Sequence, residues 1–261
     1  MFRRRNKHAW VITGAASGFG REFARRLAAL EHRLVLWDLD EAGLVQVATE
    51  LGDCVLHTET VDVTQSESVL AAAQRSRAVA TLGHVIHCAG ILRVGAVGVS
   101  PPSDFQAMMD VNYMGSVNVV TALLNDLKQA GDPKSRSTLA IIASVSGLRG
   151  FPLMSGYCAS KFALIGFGQA LDEELHGTPV DLRMICPPPG DTPMVQALEE
   201  LPAVYTLSRL FTAEEIVSMS LRRLERSGWL MLLDANSKAM RWADRLAPWL
   251  VNAVIGRATR R

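Results

Sequence analysis

What most narrows the fold of this chain is a repetition. Apolar runs without polar alternation, at 8–13, 33–38, 53–62 and 84–90, are each followed by a helical pattern. A strand that is apolar at every position is buried on both faces, and strands separated by helices run parallel. Further runs at 138–144, 180–186 and 229–233 bring the expected strand count to about seven. The fold class is therefore α/β: one doubly wound parallel sheet with helices on both faces. Residues 1–234 form this domain, and an amphipathic tail, 235–261, packs on or next to it.

Ligands of such sheets bind beyond the carboxyl ends of the strands, and the chemistry-bearing residues cluster there. The first strand leads into Thr13-Gly14-x-x-x-Gly18-x-Gly20, with Ser17 and Phe19 inside the turn. Glycines there let backbone approach a phosphate, and the following helix offers N–H groups and a positive dipole end. The second strand ends in Asp38, 18 residues beyond Gly20. A carboxylate there can accept both ribose hydroxyls of an adenosine and would repel a 2′-phosphate. NAD(H) is expected over NADP(H), which stays as the second choice. The competing reading makes Asp38 a cap for the next helix, beside Asp40 and Glu41. Asp62 and Val63 can meet the adenine edge, and Gly90 ends the fourth strand where backbone lies close to ribose.

A second constellation runs from Ser144, at the end of the fifth run, across a Gly/Pro-marked loop to Lys161. Tyr157 and Lys161 are four residues apart, so a helix puts them on one face. An adjacent ammonium favours the phenolate and lowers a phenol toward the working range. Ser144 can hold a substrate oxygen against that phenol. The pattern suits proton transfer for an alcohol/carbonyl pair, although Tyr-x-x-x-Lys alone is also an ordinary helical pair. The neighbouring Leu148, Phe151, Leu153, Met154 and Met194 make the expected substrate apolar, either lipid-like or steroid-like.

Composition excludes other classes. Net charge is +1, and the basic residues gather at the ends (Arg3, Arg4, Arg5, Lys7; Arg257, Arg260, Arg261), so nucleic acid is not an expected partner. Four cysteines lack metal-ligand spacing, and no metal site is expected. His57, His84, His87 and His176 are expected to be structural. No leader or membrane span is evident, which points to a cytoplasmic protein. The tail sets Met240, Trp242, Leu246, Trp249, Leu250, Val254 and Ile255 against Arg241, Asp244, Arg245 and Arg257. It suits peripheral membrane contact, a pocket wall or a subunit contact. The aperiodic stretch 194–211 is expected to act as a lid.

Together the Gly turn, Asp62-Val63, Cys88-Ala89-Gly90, Asn112, Ser144 and Tyr157-x-x-x-Lys161 resemble the short-chain dehydrogenase/reductase family over about residues 7–235. The resemblance implies a single Rossmann-type domain acting as an NAD(P)-dependent oxidoreductase. It implies that Tyr157 is the acid/base, that Ser144 binds the substrate oxygen, and that Lys161 binds the nicotinamide ribose and lowers the tyrosine. Asn112 would hold a proton-relaying water, while Ala89, Gly90, Pro187 and Thr192 would line the cofactor. A homodimer or homotetramer through the helices at 101–130 and 155–176 is also implied. Two departures stand out: His87-Cys88 where the family has Asn-Asn, and Pro187-Pro188 where it has Pro-Gly. Pro-Pro-x-x-Asp-Thr-Pro looks like the 3-ketodihydrosphingosine reductase branch, whose members use NADPH. An NADPH-dependent long-chain ketone reductase is therefore the nearest alternative. A non-catalytic nucleotide-binding protein and a membrane-associated interaction protein are the others.

Overall fold

The computed structural model describes residues 8–199, 201–202, 205, 209–224 and 228–258. The basic ends at 1–7 and 259–261, the Val254 and Arg257 side chains, and six positions of the expected lid lie outside these residues.

Seven parallel strands form the central sheet: β1 (Ala9–Thr13), β2 (Leu34–Asp38), β3 (Val55–Thr60), β4 (Leu82–His87), β5 (Ser137–Ile142), β6 (Val180–Cys186) and β9 (Leu230–Leu232). Their order is β3-β2-β1-β4-β5-β6-β9. The chain walks outward from β1 to β3, then returns to the other side of β1 at β4. The loops after β1 and β4 diverge there and leave a crevice, the place where such sheets bind ligands.

Alternate side chains of each strand feed two cores, which is why the runs read as continuously apolar. Val11, Val35, Val85, Leu139 and Ile141 face one side, against α3 (Ser66–Val79), α5 (Gly115–Ala130) and α6 (Ser155–Glu174). Ile12, Leu34, Leu36, Ile86 and Ile142 face the other, against α1 (Gly18–Ala28), α2 (Glu41–Leu51) and α8 (Ala213–Leu224). Each fully buried large side chain contributes about 1.5–3 kcal/mol.

Residues 101–130 form α4 (Pro102–Met109), a π-turn (Asp110–Met114) and α5. Pro102 at the first helical position starts α4. In the π-turn the Gly115 N–H reaches back five residues to the Asp110 carbonyl. The stretch after β6 holds two features not apparent in the sequence. Gly190–Asp191 (β7) and Phe211–Thr212 (β8) pair as short parallel strands, and α7 (Pro193–Gln196) starts the excursion between them. The tail forms α9 (Ala235–Leu246) and α10 (Pro248–Ala258).

Candidate active site

The crevice is a cavity of about 290 Å³ whose walls come from the carboxyl ends of the strands. Its first wall is the turn after β1. Gly14 has φ +64°, and a Cβ there would stand 2.9 Å from the Ala89 backbone nitrogen. At Gly20 a Cβ would come within 2.0 Å of the Gly14 carbonyl oxygen, so α1 can approach the turn only through glycine. Ser17 begins α1 without a side-chain cap, and the first turn carries no acid. The uncapped N–H groups of an eleven-residue helix thus face the crevice, which fits a pyrophosphate.

Asp38 sits where β2 enters the cavity. Its Oδ2 accepts the Ala16 N–H at 2.8 Å and its Oδ1 the Asp40 N–H at 3.0 Å. Helix α2 is capped by Asp40 instead, which accepts from Gly43 N, so the capping alternative for Asp38 does not hold. Two bonds leave the carboxylate further acceptor capacity toward the cavity. Asp62 accepts from the backbone and hydroxyl of Thr64 and lines the same wall with Val63.

Across the crevice, Thr13 Oγ1 and His87 Nδ1 are 2.7 Å apart, and the Cys88 and Ala89 N–H groups reach the same hydroxyl at 3.2 Å. Burial holds the His87 imidazole neutral, down to about 3, with Lys161 adding to the effect. The His-Cys departure therefore places a neutral, hydrogen-bonded ring inside the sheet. A Cβ on Gly90 would stand 3.0 Å from Asn112 Oδ1 and 3.7 Å from Lys161 Nζ.

Lys161 is buried, and its Nζ donates to the Ile142 carbonyl at 3.0 Å. It lies 5.7 Å from the centre of the Tyr157 ring. The Ser144 hydroxyl oxygen accepts from Ser146 N at 3.0 Å, which leaves its proton to give, and it pulls the Tyr157 phenol downward. The net direction of Tyr157 is nonetheless upward, against the expected lowering, because burial dominates and Tyr205 adds to it. Burial also pushes the Lys161 ammonium down to about 8. Both groups are thus driven toward their neutral forms. The Cys88 thiol is pushed up and the Cys186 thiol goes to about 12, again by burial, so no thiolate competes as a base.

Asn112 is fully buried in the π-turn. Its amide donates to Ile91 O at 2.9 Å and Ser160 Oγ at 3.0 Å, and its Oδ1 accepts from Ile91 N at 2.8 Å. Both amide hydrogens are committed to pinning the loop after β4 onto α6. The backbone carbonyl of Asn112 accepts from Ser116 Oγ.

The structure brings every expected cofactor residue to the one cavity: the Gly turn, Asp38, Asp62, Val63, Ala89, Gly90, Tyr157, Lys161, Pro187 and Thr192. Met194 joins them. Phe151 and Met154 are buried with Cys158 in an apolar cluster against which Tyr157, Tyr205, Met240 and Ile255 pack. Leu153 has φ +64°, and its carbonyl accepts the Gly95 N–H at 2.8 Å, tying two loops together. Leu148 corrects the expectation: it packs on the core near Ile165 and borders the groove under the tail. Ile142, Ala143 and Ile91 line the cavity unforeseen, although each lies within two residues of one the motifs mark, Ser144 or Gly90. Tyr205 had no periodic signal, yet two of the chain's three tyrosines meet in one cluster.

Comparison with known proteins agrees with this geometry. Residues 8–202 match the family model described as short chain dehydrogenase. The chain is 36% identical over 184 residues to SadH of Mycobacterium tuberculosis, covering 69% of this chain and 65% of SadH. It is 29% identical to human estradiol 17-beta-dehydrogenase 11, over 68% of this chain and 60% of that one. The chain therefore spans somewhat less than two thirds of each of these relatives. A short chain dehydrogenase/reductase from Burkholderia phymatum, solved in complex with NAD, superposes with a TM-score of 0.84 at 26% identity, covering 96% of both chains.

Proposed function

We propose that this chain, which belongs to the short chain dehydrogenase family, interconverts a secondary alcohol and a ketone on an apolar, lipid-like or steroid-like substrate. NAD(H) is the preferred cofactor, with NADP(H) as the alternative. The observation that carries the reading is the convergence of Ser144, Tyr157 and Lys161 beside the crevice, with one Tyr157 face in an apolar cluster.

The residues fit a dinucleotide. The turn at 14–20 would hold the pyrophosphate, Asp38 the adenosine ribose and Asp62-Val63 the adenine. Lys161 with Tyr157 would hold the second ribose, and Pro187 and Thr192 the nicotinamide. When bound, that group takes up or gives the hydride. The rest is the chain's own work. Ser144 donates a hydrogen bond to the substrate oxygen and sets it at the Tyr157 phenol. Tyr157 takes the alcohol proton in oxidation and returns it in reduction. A charged Lys161 stabilises phenolate character at the phenol. Asn112 holds the loop after β4, and with it the space kept open by Gly90. Phe151 and Met154, beside Tyr157, keep water from that side.

The same reading includes a homodimer or homotetramer through α5 and α6, near which Met114 and Phe162 stand exposed. Light scattering should return a mass of two or four chains. Fluorescence titration with NADH and NADPH, followed by turnover of apolar secondary alcohols, tests the chemistry. Tyr157→Phe should lower turnover about a thousandfold with the NADH dissociation constant unchanged; retained turnover would remove Tyr157 from the mechanism. NADH should bind more tightly than NADPH, and Asp38→Ala should narrow the gap by about tenfold. Tighter NADPH binding by the unmutated protein would instead favour the long-chain ketone reductase.

A further inference from the structure

The two tail helices have opposite faces with opposite partners. Inward, Met240 and Ile255 pack on the cluster of Phe151, Met154 and Cys158 beside Tyr157. Asp244 pairs with Arg149, and Arg149 also donates to Asn252 on α10. Outward, Trp242 is 62% exposed, Leu246 78% and Trp249 71%, and Leu250 is exposed too. Large apolar side chains gathered this closely on a surface mark a contact site. No helix among the described residues is long and apolar enough to cross a membrane.

Charge identifies what the outer face meets. Lys238, Arg241 and Arg245 lie on the Trp242 side of α9, at three- and four-residue spacings. With Trp242 and Arg223 they line a groove of about 410 Å³ against β9, and among the described residues no carboxylate borders it. The acid of α9, Asp244, is on the inner side and already paired. Among the described residues, Lys238, Arg241 and Arg245 enter none of the ion pairs that tie down the other arginines. Tryptophans and leucines flanked by cations suit an anionic lipid surface, where rings sit at headgroup level and ammonium and guanidinium groups meet phosphates.

We propose that α9 and α10 form an interfacial anchor. Trp242, Leu246, Trp249 and Leu250 enter an anionic bilayer surface, while Lys238, Arg241 and Arg245 hold its phosphates. The inner face of the same helices walls the apolar cluster at Tyr157. An apolar substrate that partitions into lipid therefore reaches the phenol from the membrane side. This delivery step rests on the apolar-substrate reading; the binding step does not.

The test is co-sedimentation of the full-length protein with phosphatidylcholine vesicles and with vesicles containing phosphatidylserine. Binding to the anionic vesicles alone, weakening with salt, is expected. Trp242→Ala with Trp249→Ala, and separately Lys238→Ser with Arg245→Ser, should each cut partitioning about tenfold, with NADH titration confirming that the fold is intact. Protein left in the supernatant with anionic vesicles at low salt would overturn the proposal. So would equal binding by the tryptophan variant. A dimer that the tryptophan pair converts to monomer would assign the face to a subunit contact and likewise overturn it. Vesicle binding without turnover of any apolar alcohol would sink the substrate reading and leave the anchor standing.

Discussion

The two halves of the crevice are built differently. On the nucleotide side, the turn at 14–20, Asp38 and Asp62 come from consecutive strand ends within the first sixty-odd residues, and the closest approaches, at Gly14 and Gly20, are to backbone. On the substrate side, Ser144, Tyr157, Phe151, Tyr205, Met240 and Ile255 come from four separated segments and meet through side chains. Parts made of backbone are fixed once the sheet forms. Parts made of side chains depend on each segment being held, and the tail is held through Arg149. Substitutions should therefore separate cleanly: changes on one side move cofactor binding, and changes on the other move the substrate.

Lys161 stands between the halves, and its loss should move both. Lys161→Met should lower turnover about a hundredfold or more and weaken NADH binding as well. It should also stabilise the fold. The folded value of Lys161, about 8, lies below its ordinary 10.5. Between these values the unfolded chain binds a proton that the folded chain has released, so this group's contribution to stability rises with pH across that window. Below about 8 the folded chain carries a buried ammonium. The variant should be more stable than the parent by about 3 kcal/mol at pH 7, with the gap closing toward pH 10. Denaturant melts across that range measure it, and a gap independent of pH would show that the lysine is not held at a cost.

Gly20→Ala tests the nucleotide side alone. Its Cβ would meet the Gly14 carbonyl, so about 2 kcal/mol of stability should be lost. NADH binding should weaken about tenfold while KM for the alcohol stays put at saturating cofactor. Arg149→Ala is the converse and the smallest. Losing the pair with Asp244 should raise KM about threefold and cost about 2 kcal/mol, with NADH binding unchanged. Equal effects on both ligands from either variant would break the division.

The same division explains how much the sequence revealed. Periodicity and glycine spacing located the nucleotide side because both are backbone properties. Even its errors were local. The third strand stops at Thr60 and not 62, since Asp62 turns to bind Thr64. The fourth ends at His87, because the next two N–H groups turn to Thr13. On the substrate side, Tyr157 and Lys161 were legible as a helical pair, but their environment was not. Leu148 looked like a pocket wall and packs on the core; Tyr205 looked like part of a loop and packs near the phenol. The tyrosine's direction was missed for the same reason. Charge proximity can be read from spacing, but burial belongs to the folded chain.

The π-turn at 110–114 has a consequence for how this chain can change its length. An α-helix advances about 100° per residue, so one residue more or fewer rotates everything beyond it by that angle. Helix α4 is seated on α6, while α5 is seated on the sheet and α3. The wide turn takes up one residue more than regular winding needs, which lets both stay seated, and Asn112 sits inside it. Deleting Tyr113 would therefore restore regular winding with Val119, Val120, Leu123 and Leu127 still on the core, whereas a deletion within α5 would turn everything beyond it off the core. The turn can give up a residue; the helices on either side cannot.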